Sequence, residues 1–201
     1  MQIFCMDTKR LVYNKTMFPA VFLDRDGVLI ENRSEYVREW SQVSIFPFTI
    51  SALTRLAALG YKIVVVTNQS AIGRGLLPVQ VADEINQKLV DIVRAGGGQV
   101  DAVYVCPHHP DEICSCRKPN PGMLLQAADE HSLDISRSWM IGDAWTDIQA
   151  GHAAQVPHLG ILKTGRGHEQ LLLPRPAQPE AFHIFDNLAE AVGQIAAAGS
   201  V

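Results

Sequence analysis

No stretch of this chain approaches the roughly 20 consecutive apolar residues that a membrane-spanning helix needs. Residues 1–18 lack the apolar core of a signal peptide and carry Asp7, Lys9, Arg10 and Lys15 instead. No more than two like charges stand in a row, and a net charge of −4 leaves no electrostatic footprint for nucleic acid beyond room for a local basic pocket. These absences predict a cytoplasmic protein with neither a membrane nor a nucleic-acid partner, and a monomer is the expectation. Cysteine is scarce, with four in 201 residues, yet three of the four crowd into residues 106–116. In a reducing compartment that crowding favours a metal site over a disulfide framework. What is abundant is apolar: 47% hydrophobic against 19% charged residues describes a globular chain. The length suits one domain burying roughly 70% of its unfolded surface. The expected organisation is a single domain over 1–201, with its core at about 18–198 and an N-terminal extension over 1–17.

Apolar, β-rich runs alternate with helical patterns. Ala20-Val21-Phe22-Leu23 reads as a buried parallel strand, and Tyr61 to Val66 as a second, following a helix over Ile50 to Leu59 that Gly60 stops. Val81, Ile85, Leu89 and Ile92 fall at helical spacing between Pro78 and Arg94, and Gly96-Gly97-Gly98 ends that helix. Ala102 to Val105 is a third strand, Pro121 to Glu130 a helix, Trp139 to Ile141 a fourth strand, and about Trp145 to Ala154 a helix. His158 to Leu162 and His183 to Phe185 read as edge strands, and Asp186 as the cap of a last helix, Leu188 to Ala197. Alternation of this kind predicts an α/β fold, a parallel sheet wound on both faces by helices.

Polar groups gather at the strand ends, where open α/β sheets bind their ligands. Asp24-Arg25-Asp26-Gly27 follows the first strand. Residues two apart in an extended segment point the same way, so Asp24 and Asp26 can face one substrate. Two carboxylates so close repel unless a cation neutralises them or one holds a proton. Gly27 lets the chain leave by a turn that other residues resist. Thr67-Asn68-Gln69-Ser70 ends the second strand, offering a hydroxyl and two amides to a phosphate. Gly142-Asp143 ends the fourth, with Asp147 one helical turn on. Asp143 is placed either to complete a divalent-cation site begun at Asp24 or to cap the helix behind it. Lys118, between the third and fourth strands, is a candidate to hold phosphate and nucleophile together.

Cys106-Pro107-His108 and Cys114-Ser115-Cys116 form two pairs of ligands, each with one residue between, separated by five residues. Same-side projection at i and i+2 lets each pair grip one ion, and three sulfurs with one imidazole suit a tetrahedral zinc site. His109 is an alternative to His108, and Cys5 stands apart.

Asp24-Arg25-Asp26-Gly27, Thr67, Lys118 and Gly142-Asp143 with Asp147, in that order, resemble the four motifs of the haloacid dehalogenase superfamily of aspartate-based phosphatases. The resemblance implies a Rossmann-like fold in which Asp24 is the nucleophile and Asp26 the acid and base. It also implies magnesium held by Asp24, the Asp26 backbone carbonyl and Asp143, with Asp147 supporting and Lys118 fixing Asp24. Thr67, Asn68 and Gln69 would bind the substrate phosphate. Only about twenty residues separate Leu29 from Ser51, too few for a folded cap, so the Cys/His loop must form part of the pocket wall.

Within the superfamily, Cys106-Pro-His-His-Pro, Cys114-Ser-Cys-Arg-Lys-Pro-Asn-Pro-Gly-Met-Leu and Thr67-Asn-Gln-Ser-Ala-Ile-Gly-Arg-Gly75 look like the family that removes the 7-phosphate of D-glycero-D-manno-heptose 1,7-bisphosphate. That likeness, covering about Ala20 to Gly165, implies a phosphorylated sugar as substrate, a structural zinc and an Arg117 that reads the distal phosphate. The five-residue gap between ligand pairs is more like the histidinol-phosphate phosphatases, which remain the alternative enzyme. A zinc-stabilised interaction module is the non-enzymatic alternative, and the two intact aspartates of the first motif weigh against it.

Overall fold

Phe18–Leu23 forms β1, whose last four residues are completely buried because helices cover both of its faces. In chain order there follow α1 (Thr49–Ala58), β2 (Lys62–Asn68), α2 (Ser70–Gly73), α3 (Val79–Ala95), β3 (Ala102–Cys106) and α4 (Gly122–His131). β4 (Leu133–Gly142), α5 (Trp145–Ala153), β5 (His158–Leu162), α6 (Gly167–Leu172), β6 (His183–Phe185) and α7 (Leu188–Ala198) complete the order. This computed structural model describes residues 17–198; the expectations for residues 1–16, Cys5 among them, lie outside the described residues.

All six strands are parallel, in the order β3-β2-β1-β4-β5-β6. The chain winds outward from β1 in one direction and, beginning with β4, in the other. The reversal falls between β1 and β4, and a crevice opens at such a point beyond the carboxyl ends of the strands. Alternate residues feed opposite layers. Val21, Leu23, Ile63, Val65 and Ile141 pack with Leu53 and Leu56 of α1, Ile85 and Leu89 of α3, and Val192 and Ile195 of α7. Ala20, Phe22, Val64, Val66 and Met140 pack with Leu124 of α4 and Ile148 of α5.

β4 is longer than the apolar run Trp139 to Ile141 suggests. Its first half is polar and partly exposed, and its pairing with β1 slips between Pro19↔Asp134 and Val21↔Trp139. The slip leaves the Ala20 amide without a ladder partner, and the Ser138 hydroxyl accepts it at 2.9 Å. At the last helix Asp186 is not the cap. Asn187 Oδ1 accepts from the Glu190 amide (3.1 Å), while Asp186 pairs with Lys163 at 2.6 Å. Between Leu23 and Thr49 the chain holds only isolated bridges and a single 3₁₀ turn at Trp40–Gln42, so among the described residues no separate cap domain stands over the crevice.

Candidate active site

Gly27 adopts φ +82°, a left-handed turn open to glycine, and this turns the chain sharply after Asp26. The space matters as much as the angle. A Cβ on Gly27 would lie 2.1 Å from Asp143 Oδ2, and one on Gly165 would lie 2.4 Å from the same oxygen. Two glycine backbones therefore cradle the Asp143 carboxylate where the ends of β1 and β4 meet.

Asp24, Asp143 and Asp147 bring carboxylate oxygens within 4.8 Å of one another, and all three residues are buried. Lys118, also buried, points into the cluster. Its Nζ lies 3.0 Å from Asp24 Oδ1 and 2.5 Å from Asp147 Oδ1, and it donates to the Val66 carbonyl at 2.7 Å. Burial alone would lower this ammonium, but the charges of Asp147 and Asp24 outweigh it and hold the group above the usual lysine range. Asp143 has no such partner at its heart. Burial, and then the charges of Asp24 and Asp147, push its carboxyl up to about 7, although Arg166 approaches from outside with Nη2 3.1 Å from Oδ1. Three carboxylates thus share two cations, and one of those, Arg166, is half exposed. The hard oxygen donors and the missing positive charge fit a magnesium ion.

The two aspartates of the first motif do not share one cation. Asp24 faces Lys118, whereas Asp26 faces Arg25, with 2.9 Å between Arg25 Nη2 and Asp26 Oδ2. The amides of Asn68, the last residue of β2, and of Gln69 beyond it also have firm partners. Asn68 Nδ2 donates to the Lys118 carbonyl (3.0 Å) and Asn68 Oδ1 accepts the Lys118 amide (3.1 Å). Gln69 Nε2 donates to both Asp26 Oδ2 and Thr67 Oγ1 at 2.9 Å. Asp143 does not cap α5: Ala144 is the N-cap residue, and its amide donates to Asp147 Oδ2 at 3.0 Å.

Above these groups lies a cavity of about 530 Å³. Asp24, Asp26, Asn68, Gln69, Arg117 and Lys118 line it as the sequence suggests, and Arg33, Tyr36, Arg74 and Arg166 join them unforeseen. Arg117 donates to Ser70 Oγ at 3.1 Å and Arg33 to the Gln42 carbonyl; among the described residues none of Arg33, Arg74 and Arg117 has a carboxylate partner. In a chain of net charge −4 this is a concentrated positive wall. Tyr36 reaches the cavity from a backbone at φ +65°, a conformation costing a residue other than glycine about 1–3 kcal/mol. The Arg166 position was open to inference, since it follows β5 just as the other site groups follow their strands. Arg33 and Tyr36 sit in an irregular loop whose path no periodicity reveals.

The Cys/His loop gives Pro110 to the cavity lining and runs on into Arg117, Lys118 and Pro119. Cys116 Sγ lies 3.2 Å from His108 Nδ1 and 3.6 Å from Cys114 Sγ; Cys106 Sγ lies 3.4 Å from His108 Nδ1 and 3.8 Å from Cys114 Sγ. Four ligands tetrahedrally disposed around zinc at its usual bond lengths would be about 3.5–3.8 Å apart. His109 faces away, its Nδ1 accepting the Asp111 amide, so His108 is the imidazole of the cluster. Burial pushes the Cys106 thiol up to about 12, and a coordinated cation is what would ionise it. The loop leans on the segment after β2: a Cβ on Gly73 would come within 2.2 Å of the His109 amide nitrogen.

A family model described as HAD-hydrolase-like matches residues 115–191. A Pseudomonas aeruginosa protein named D-glycero-β-D-manno-heptose-1,7-bisphosphate 7-phosphatase is 37% identical over 169 residues, spanning 84% of this chain and 93% of the relative. The Escherichia coli K12 protein of the same name is 35% identical over 175 residues, spanning 84% of this chain and 86% of its own. Among solved structures, the D,D-heptose 1,7-bisphosphate phosphatase of B. bronchiseptica, complexed with magnesium and phosphate, superposes with a TM-score of 0.82 at 32% identity. The match covers 90% of this chain and 99% of that one.

Proposed function

This chain belongs to the heptose-bisphosphate phosphatase family of haloacid dehalogenase-like hydrolases, and we propose that it removes the 7-phosphate of D-glycero-β-D-manno-heptose 1,7-bisphosphate. The observation that carries the substrate is the disposition of charge. A buried lysine and a nucleophilic carboxylate sit at the base of the cavity, and three arginines without carboxylate partners stand on its wall. A substrate with one phosphate at each end matches both. Histidinol phosphate would bring a cationic amine and an imidazole toward those arginines, so this wall disfavours it. The acidic balance of the chain likewise disfavours a polynucleotide.

Asp24 attacks phosphorus, its oxygen bonding as the bond to the sugar oxygen breaks, and an aspartyl-phosphate results. Asp26 gives its proton to the departing oxygen, then takes one from the water that releases phosphate from Asp24. Asp24, Asp143 and the Asp26 carbonyl would hold magnesium, whose charge when bound offsets that of the phosphoryl oxygens. Asp147 keeps Lys118 directed at Asp24. Thr67 offers its hydroxyl to the phosphoryl group, while Asn68 fixes the Lys118 backbone and Gln69 the Asp26 carboxylate. Residues 18–198 act as one catalytic unit within a monomer.

Arg117 reads the distal phosphate with its planar fork, and Lys118 serves the reacting one. Phosphate release from both anomers of the bisphosphate, from heptose 7-phosphate and from histidinol phosphate tests this division. Arg117→Ala should lower kcat/KM for the bisphosphate roughly 10- to 100-fold, the worth of a charge-assisted bidentate contact, and that for the monophosphate far less. Lys118→Ala should damage both alike. Equal losses for Arg117→Ala on the two substrates would remove its distal role.

Cys106, His108, Cys114 and Cys116 would hold zinc with protein filling every position, so this ion cannot activate water. Its role is to order the loop running into Arg117 and Lys118, and its thiolates suit a reducing cytoplasm. Elemental analysis should find about one zinc per purified chain, as a single four-ligand site requires. Cys114→Ser should lower zinc content and melting temperature and raise KM. Full stability and unchanged kinetics in zinc-free protein would refute the assignment.

A further inference from the structure

Arg25 stands between the two aspartates of the first motif, yet it does not line the cavity and is only 1% exposed. Its Nη1 donates to Asn86 Oδ1 of α3 at 2.8 Å, and its Nη2 donates to both oxygens of Asp26, at 3.1 and 2.9 Å. Asn86 is buried as well, and a buried asparagine on an otherwise apolar helix face calls for a partner of this kind. Arg25 Nε has no hydrogen-bond partner among the described residues. Packing alone does not account for this arrangement, because a buried cation with an unsatisfied donor is a poorer core residue than a long apolar side chain such as methionine.

What the arrangement does is fix one carboxylate. Two donors, Arg25 Nη2 and Gln69 Nε2, meet Asp26, and Arg25 is itself braced from behind by α3. The plane and the χ angles of Asp26 are thereby set by Gln69 at the cavity lining and by a guanidinium that lies outside the cavity. We propose that Arg25, anchored by Asn86, is the positioning residue that keeps Asp26 aimed at the departing and attacking oxygens. This rests on the phosphatase reading above and adds to it the means by which a site without a cap domain aligns its acid and base. Proton transfer demands hydrogen-bond geometry, so a carboxylate free to rotate loses most of its value.

The test separates alignment of the acid from general damage. A sugar or alkyl oxygen leaves as a strong base and needs the Asp26 proton, whereas 4-nitrophenolate leaves unprotonated. Because kcat/KM reports only steps through the first displacement, the later use of Asp26 as base does not enter it. Arg25→Met should lower kcat/KM for the best alkyl phosphate about 10- to 100-fold, part of the full worth of an acid catalyst, and that for 4-nitrophenyl phosphate at least about tenfold less. Arg25→Lys, which keeps the cation but cannot reach both partners, should recover part of the loss. Asn86→Ala leaves the guanidinium in place and should show the same selective pattern at about 3- to 10-fold. It therefore decides the matter if Arg25→Met fails to fold. Losses equal for both leaving groups, or no loss in Asn86→Ala, would overturn the proposal. The comparison needs only an alkyl phosphate that the enzyme turns over, so a wrong sugar substrate would show in the substrate panel and leave this ratio readable.

Discussion

Asp24→Asn is expected to abolish phosphate release, with a loss on the order of 10⁵-fold or more, the scale on which enzymes working through a covalent intermediate lose their nucleophile. An amide oxygen is a poor nucleophile, and the change also strips one charge from the magnesium site. The fold should not suffer. Asp24, Asp143 and Asp147 share two cations, Lys118 and Arg166, so removing one carboxylate brings the metal-free cluster into balance. The melting temperature without magnesium should therefore match or exceed that of the parent, while the rise that magnesium gives the parent should shrink. Retention of more than about a hundredth of the activity in protein free of the parent form would sink the assignment of Asp24, because Asp26, the other carboxylate lining the cavity, is held by Arg25 and Gln69.

Asp26→Asn should slow turnover by roughly 10²- to 10⁴-fold, the contribution of a positioned general acid and base. Its metal affinity should survive, since the magnesium contact assigned to this residue is its backbone carbonyl. The substitution has a local cost too. Arg25 Nη2 and Gln69 Nε2 both donate to this side chain, and an asparagine turns one acceptor oxygen into an NH₂ that faces donors. A modest fall in melting temperature should accompany the kinetic defect. Loss of magnesium binding, with activity restored by excess metal, would make Asp26 a side-chain ligand instead.

The strands that carry the chemistry were legible because burial on both faces leaves an unmistakable apolar run. Ala20 to Leu23 and Ile63 to Val66 are of this kind, and the polar residues just beyond them, Asp24 and Thr67, were placed by that signal alone. The two ligand pairs were legible through spacing, which a tetrahedral ion dictates within a few residues. Less could be read where side chains answer to partners distant in the chain. Asn68 and Gln69 look in sequence like amides offered to a phosphate, but in the fold they bind Lys118 and Asp26. The polar half of β4 carries no strand signal because one edge of it meets solvent and its register slips. Arg33 and Arg74 have no periodic context, and only the cavity brings them to one wall.

The position of β1 at the middle of the sheet also governs how the enzyme comes into being. The strand bearing Asp24 is made early, and its neighbour β2 follows within a short stretch of chain. Its other neighbour is β4, and the Ala20–Ser138 contact that joins them spans 118 residues. At the usual pace of synthesis, about 5–20 residues per second, that interval lasts about 6–24 s. Throughout it, a nascent chain can possess Asp24 and Thr67 while one edge of β1 waits for a partner. Asp143 follows directly on the very strand that closes this edge, so protection of the sheet and assembly of the Asp24, Asp143 and Asp147 cluster are one event.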